Sequence, residues 1–321
     1  MSSSSFTDEI FTFGHTAVIT GSSSGIGRAA AVMCAEKGMN VYMADIDRVD
    51  LEEAVEHVKA VTMSVWPAEQ GGKIHIEGIV TDVADLASVE QLRDEVVANH
   101  VTCHFLMNNA GTGLGGGAMT DMATVHKVME VNTYGPMHGC LAFVPIMKQG
   151  GQIGLIVNTG SKQGITMPPG NLTYNISKAA LKAYTEGLEH ELRNERFDSG
   201  GKLYAALLVP GWVNTSLHLK TVREKCSAEG KEFTKNSVFF HEDKPAAGAW
   251  MSEQVIEFML EELNRGRFYI ICPDNDVDRE TDNLRMTWTM GDIVENRPPL
   301  SRWHRHWTAK FEEFFAQNKK G

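Results

Sequence analysis

The sequence predicts an α/β protein: a single doubly wound domain whose seven-stranded parallel sheet carries helices on both faces. Two observations point there. Short apolar runs alternate along the chain with longer stretches of helical period, and strand–helix–strand alternation builds a parallel sheet covered on both sides. Most of the runs are apolar throughout, which is how a strand reads when both of its faces are buried.

In chain order the strands are expected at 15–20 (HTAVIT), 39–44 (MNVYMA), 73–80 (KIHIEGIV), 103–108 (CHFLMN), 153–159 (IGLIVNT), 202–209 (KLYAALLV) and 267–272 (RFYIIC). Between the second and third, Leu51, Ala54, Val55, Val58 and Val61 recur at steps of three and four, and Val89, Leu92 and Val96 repeat the pattern in the next connection. Segments 120–149, 172–196 and 245–264 are long enough for further helices, with Pro136 and Pro145 expected to interrupt the first. The domain is placed at 13–273, after an N-terminal tail at 1–12. Three stretches stand outside the alternation: a surface insertion, MSVWPAEQGG (63–72), a polar segment at 212–243, and a C-terminal extension at 274–321.

Composition narrows the function. A chain of 321 residues that is 42% hydrophobic with 30 glycines suits a compact fold with many tight turns. A net charge of −11 argues against a general nucleic-acid binder and fits an enzyme of small molecules. Cysteines 34, 103, 140, 226 and 272 are scattered without a CxxC pair, as expected of reduced thiols in a cytoplasm. The start, MSSSSFTDEIF, lacks a basic region followed by a long apolar core, so no signal peptide is expected. No apolar run reaches the roughly 18 residues that a membrane span needs.

The first strand leads into TGSSSGIGRAAAVMCAEKG (20–38), where Gly21, Gly25 and Gly27 sit in a turn that opens a helix. Glycine lets backbone approach a pyrophosphate, and the helix N-terminus offers N–H groups and partial positive charge. The second strand ends at Asp45, 24 residues after Gly21. A carboxylate there accepts hydrogen bonds from ribose hydroxyls and repels a 2′-phosphate. No basic residue stands at Ile46 or within 22–24, which favours NAD over NADP. Arg28 reads as a surface arginine and Asp47 as a capping or solvent residue.

The spacing TGxxxGxG resembles the short-chain dehydrogenase/reductase family, whose fold is of the Rossmann type, and the resemblance runs from about residue 13 to about residue 272. It implies that Ser23, Ser24 and Ile26, between the glycines, belong to the cofactor-binding loop. In TDV (81–83) it implies that the Asp82 side chain and Val83 backbone hold the adenine. In NNAG (108–111), Asn109, Ala110 and Gly111 would line the cofactor pocket and steady the sheet. In VPGWVNT (209–215), Pro210 and Gly211 form the motif after the sixth strand, and Val213 and Thr215 would contact the nicotinamide carboxamide.

TYNISK (173–178) sets Tyr174 and Lys178 one helical turn apart. Alone, such a pair is a surface feature; behind a phosphate loop it is a candidate proton relay. Hydride transfer to or from nicotinamide needs a proton moved at the same carbon's oxygen. A free tyrosine, with a pKa of about 10, is a poor base near neutrality. A nearby ammonium and a positive nicotinamide ring favour the phenolate. The family resemblance implies that Lys178 also hydrogen-bonds the nicotinamide ribose. It further implies that Ser161, in VNTGSKQG, polarises the substrate oxygen. Asn132, in VMEVNTYG, would bend its helix and hold a water linking Lys178 to solvent. Ser177 reads as a helix residue, and Lys162 as pointing away from Ser161.

The expected function is NAD-dependent interconversion of a secondary alcohol and a ketone, with Tyr174 as general acid/base. The alternatives are an NADP-dependent carbonyl reductase and a catalytically silent dinucleotide-binding regulator. Glycines 111, 113, 115, 116 and 117 make a slim loop, either mobile at the substrate mouth or merely an irregular turn. Trp212, Leu217, Leu219, Phe233, Phe239 and Phe240 are candidates for an apolar lid, which hints at a sizeable apolar or aromatic substrate, or for packing against the domain. His304 and His306 lack the further ligands a metal site needs, so no metal is expected. Trp307, Phe311, Phe314 and Phe315 share one helical face, suited to core packing or to a subunit contact. Glu312 and Glu313 speak against membrane association there. The resemblance implies a homodimer or homotetramer formed through the helices of Asn132 and the Tyr/Lys pair.

Overall fold

The computed structural model of the chain describes residues 5–217, 219, 221, 226, 230 and 246–319. Each expected strand is present: β1 (Thr16–Thr20), β2 (Asn40–Asp45), β3 (Ile76–Val80), β4 (Phe105–Asn108), β5 (Gly154–Thr159), β6 (Leu203–Val209) and β7 (Tyr269–Ile271). They form one sheet in the order β3-β2-β1-β4-β5-β6-β7, with every pairing parallel. The helices of the domain are α1 (Phe6–Ile10), α2 (Gly25–Glu36), α3 (Arg48–Val65), α4 (Ala68–Gly71), α5 (Leu86–Asn99), α6 (Met122–Met129), α7 (Gly135–Gly150), α8 (Gln163–Thr166), α9 (Leu172–Ser199) and α10 (Ser252–Asn264). Beyond β7 lie α11 (Arg279–Val294) and α12 (Thr308–Asn318).

The uninterrupted apolar strands are explained by a core on each side of the sheet. Ala17, Ile19, Val41, Met43, Phe105, Met107, Leu155 and Val157 face α2, α3 and α10. Their neighbours Val18, Tyr42, Leu106 and Ile156 face α5, α7 and α9. Side chains alternate across a strand, so both registers must be apolar when both faces are covered. The edge strand β3 departs from this: only Ile76 is buried, and the rest of the strand is half-buried or exposed.

Three local expectations need correction. The break in the 120–149 helix is not made by Pro145, which lies inside α7 without ending it, while Pro136 occupies its first turn. A π-helical turn at Glu130–Tyr134 separates α6 from α7 and carries Asn132. Such turns often occur at functional sites. The stretch 63–72 lies on the surface as expected but does not stand outside the helical pattern: α3 continues to Val65 and α4 follows. Trp66 anchors it, donating its indole N–H to the Ala35 carbonyl at 3.1 Å and meeting Phe13 edge-on.

The third concerns the N-terminal segment. Ser5 and Asp8 form a capping box on α1, and Ile10 and Phe11 are 0% and 3% exposed. Phe11 packs on Phe105 of β4 with ring centroids 4.8 Å apart. These residues belong to the core, though five helical residues are too few to show a period in sequence. Ile10→Ala is expected to cost about 2–5 kcal/mol through the cavity it leaves. Urea unfolding would show a lower midpoint with an unchanged slope; an unchanged midpoint would contradict it.

The C-terminal extension packs on its own chain. Trp288 of α11 is buried, with Phe311 and Phe314 of α12 at centroid distances of 5.4 and 5.2 Å. Its indole N–H donates to Ser301 Oγ at 2.7 Å, and the Arg297 guanidinium lies 3.9 Å from its ring centroid. Met286 of α11 joins Ile165 and Phe268 over Leu207, Val209 and Ile271. This seats the extension beside β6 and β7, on α8.

Candidate active site

Chain connections leave β1 and β4, adjacent at the centre of the sheet, in opposite directions, which opens a crevice at their carboxyl ends. The glycine turn lies there. Gly21, at φ +65, is so close to the loop after β4 that a Cβ would come within 2.7 Å of Ala110 Cα. Gly27 lies against Gly21 O at 2.3 Å by the same measure, and Gly25, at φ +56, against Thr215. Ser24 is the N-cap of α2 but makes no side-chain cap bond; its hydroxyl accepts from Ser216 Oγ at 2.7 Å. Ile26 is buried under the first turn of α2. The helix thus keeps first-turn N–H groups without a side-chain cap, facing a slot from which side chains are excluded.

Asp45 reaches toward the same turn, its Oδ2 accepting from Ser23 N at 3.1 Å and Ser23 Oγ at 2.6 Å. Asp47, beside it, caps α3. Asp82 Oδ1 accepts from Ala84 N, and Val83 is nearly buried against Gly135, its carbonyl bonded to His138. Asn109 ties the crevice together: its Nδ2 donates to the Thr20 and Gly21 carbonyls, and its Oδ1 accepts from Thr159 Oγ1. The N–H groups of Asn109 and Ala110 both donate to Thr20 Oγ1. These residues fit a dinucleotide: a bare helix N-terminus for phosphates and a carboxylate at the end of β2 for ribose hydroxyls.

The four catalytic candidates meet on the far side of this crevice. Ser161, just beyond β5, lies beside the Tyr174 phenol and accepts from Gln163 N at 3.2 Å. Lys178, buried on α9, donates to the Thr159 carbonyl at 2.8 Å, with Nζ 5.9 Å from the Tyr174 ring centroid. A Cβ on Gly111 would come 3.3 Å from Asn132 Oδ1 and 3.8 Å from Lys178 Nζ, so both side chains border this one stretch of backbone. Asn132 is fully buried in the π turn, accepting from Thr112 N at 2.8 Å and donating to Thr112 O and Ser177 Oγ.

Burial sets the electrostatics. It raises the Tyr174 pKa, opposed by the Ser161 hydroxyl beside it, and lowers that of Lys178 to about 8. The protein's own groups therefore do not bring the phenol toward neutrality.

Some residues carry weight here that the motifs did not announce. Thr112, Thr159 and Ser177 hold Asn132 and Lys178 in place. Ser177 is more than a helix residue, since its hydroxyl bridges Asn132 and the Tyr174 carbonyl. Three glycines of the glycine-rich loop stand close to neighbouring side chains: a Cβ at 115 would strike Asn171, at 116 Thr120, and at 113 Thr221, whereas Gly117 is open. Pro210 and Gly211 follow β6, Val213 bridges to Trp250 and Thr215 abuts Gly25. Of the lid candidates, Trp212 is exposed and Leu217 borders Gly113, while Leu219 is half-buried. Phe233, Phe239 and Phe240 lie outside the described residues.

The sequence pattern of the family described as short chain dehydrogenase matches residues 15–225. The chain belongs to the short-chain dehydrogenase/reductase family of oxidoreductases. A member from Burkholderia phymatum, solved in complex with NAD, is 30% identical, covering 91% of this chain and 97% of its own at a TM-score of 0.74. A metagenomic short-chain oxidoreductase solved with NADP is 25% identical, covering 63% of this chain and 86% of its own at a TM-score of 0.54. Among sequence relatives, 1-deoxy-11-beta-hydroxypentalenate dehydrogenase of Streptomyces avermitilis is 27% identical over 277 residues, 85% of this chain and 90% of the relative. Among the described residues no helix is long and apolar enough to cross a membrane.

Proposed function

We propose that the protein is an NAD-dependent oxidoreductase that interconverts a secondary alcohol and a ketone, with Tyr174 as the general acid/base. The observation that carries this reading is the convergence of side chains at Tyr174: buried Lys178, one helical turn along α9, has Nζ 5.9 Å from the phenol's ring centroid, Ser161 lies beside the phenol, and Asn132 and Lys178 both border Gly111. A bound nicotinamide ring supplies hydride exchange with the substrate carbon. In the oxidative direction Tyr174 takes the hydroxyl proton at its phenolic oxygen, and Ser161 Oγ donates to the same substrate oxygen and orients it. Lys178, as an ammonium, favours the phenolate electrostatically and would hold the cofactor ribose. Asn132 holds the backbone at Thr112 and the water that relays protons from Lys178. Tyr174, held above its ordinary pKa by burial, would ionise more readily with a cationic nicotinamide ring bound beside it.

The relative named as a dehydrogenase of a hydroxypentalenate supports an alcohol as substrate, and exposed Trp212 beside the site suits a sizeable apolar or aromatic one. The apolar side chains of Tyr134, Leu141 and Ile176 are exposed on the π turn, α7 and α9, which suits a homodimer or homotetramer formed through these helices. The scattered thiols suit a cytoplasmic setting.

A panel of aromatic, polycyclic and aliphatic secondary alcohols, followed by NADH absorbance, tests the reaction. Tight NAD binding with no turnover across the panel would favour the silent regulator instead. Asp45 tests the cofactor: NAD is expected to bind at least about tenfold more tightly than NADP, given a carboxylate where the 2′-phosphate would lie. Asp45→Ala should narrow that ratio, chiefly by improving NADP. Tighter NADP binding by the unaltered protein would favour the carbonyl reductase.

A further inference from the structure

Lys162 does not point to solvent. Its side chain is 17% exposed, with Nζ 2.6 Å from Asp282 Oδ2 and 3.5 Å from Asp274 Oδ2, two carboxylates only 6% and 8% exposed. Asp282 stands in the first turn of α11, and Asp274 in the segment leading to it, so both partners come from the C-terminal extension. Asp274 Oδ2 also accepts from Trp212 N at 3.2 Å. Gly211 lies beneath this cluster, where a Cβ would come 2.5 Å from Asp274 Oδ2 and 2.8 Å from Lys162 Nζ. The cluster therefore joins three pieces of chain: the residue after Ser161, the turn after β6, and the start of α11.

The packing runs the same way. Ile165 of α8 and Met286 of α11 share one apolar cluster. Gly164 is pressed against the Lys178 backbone, where a Cβ would come 2.6 Å from its carbonyl carbon. The short span 160–166 is thus clamped between α9 and the extension, and it holds Ser161. A buried ion pair is a weak source of stability, because desolvation offsets the attraction. It does fix geometry, and catalytic groups lose effect when displaced by fractions of an ångström.

We propose that Lys162 is a positioning residue for Ser161, held from the C-terminal extension by Asp282 and Asp274, so that residues 274–294 form a wall of the reaction site. This rests on the dehydrogenase reading for its kinetic consequence, but the clamp itself can be tested without turnover. Asp282→Asn keeps the shape and removes the charge. It is expected to raise hydrogen exchange in 160–167 while α2 keeps its protection. With a turned-over alcohol, kcat should fall about 10- to 100-fold from misplacement of Ser161, with NAD affinity unchanged. Lys162→Met should reproduce both effects, and Asp282→Glu, which keeps the charge, should recover most of kcat. Asp274→Asn, at the longer contact, should act in the same direction and serves if Asp282→Asn does not fold. Unchanged exchange at 160–167, or lower thermal stability with wild-type kcat, would overturn the proposal. Should no alcohol be turned over, the exchange measurement still decides the clamp, while the dehydrogenase reading falls separately.

Discussion

Tyr174→Phe removes one oxygen from the site and is expected to lower kcat by about 10²- to 10⁴-fold, the usual worth of a positioned acid or base. NAD affinity should stay close to that of the unaltered protein, because the ring remains and Lys178 keeps its bond to the Thr159 carbonyl. The pH dependence follows from which form of the phenol each direction needs. Alcohol oxidation needs the phenolate, so its rate should climb with pH; ketone reduction needs the phenol, so its rate should fall over the same range. Burial of Tyr174 resists ionisation and the Ser161 hydroxyl assists it, which puts the climb on the alkaline side unless a cation lies beside the ring. Lys178, lowered to about 8 by burial, loses its charge within that window and should blunt the climb above it. Steady-state rates in both directions, with NAD affinity from fluorescence, check this. Wild-type turnover by Tyr174→Phe would remove Tyr174 from the mechanism.

The parts of this molecule that could be read from sequence are those set by local chemistry. Both-face burial makes the strands apolar in every register, so all seven stood out. The Tyr/Lys spacing and the glycine turn are likewise local, because one helical turn and one βα turn define them. What escaped was decided by distant partners. Lys162 reads in sequence as pointing away from Ser161, but what it points to is not legible there, because its partner Asp282 lies 120 residues later. Pro145 looked like a helix break, yet α7 runs through it and the break falls at Glu130–Tyr134. The glycine-rich loop reads equally as mobile chain at the substrate mouth or as an irregular turn, because glycine serves both, whereas in the structure Asn171, Thr120 and Thr221 occupy the space a Cβ at 115, 116 and 113 would take. A single glycine has the same letter in both roles.

Gly27→Ala isolates that difference. Gly27 lies in the first turn of α2 with ordinary helical backbone, so propensity alone would favour alanine by about 1 kcal/mol. Sterics decide the other way. The new methyl would stand 2.3 Å from Gly21 O and 2.7 Å from Asn109 Nδ2. Neither neighbour is a yielding side-chain tip: one is backbone, and the other holds the Thr20 and Gly21 carbonyls. Relief requires moving α2 away from the end of β1, which opens the slot proposed to hold the pyrophosphate. Overpacking of this kind costs about 1–3 kcal/mol. If that cost falls on the binding-competent loop, NAD affinity drops by about 5- to 150-fold. Gly117→Ala is the control, since a Cβ there meets nothing within 4 Å, and it should bind NAD as the unaltered protein does. Calorimetric titration well below the unfolding temperature separates weakened binding from partial unfolding. Equal NAD affinity in both variants would mean that the glycine turn does not hold the dinucleotide.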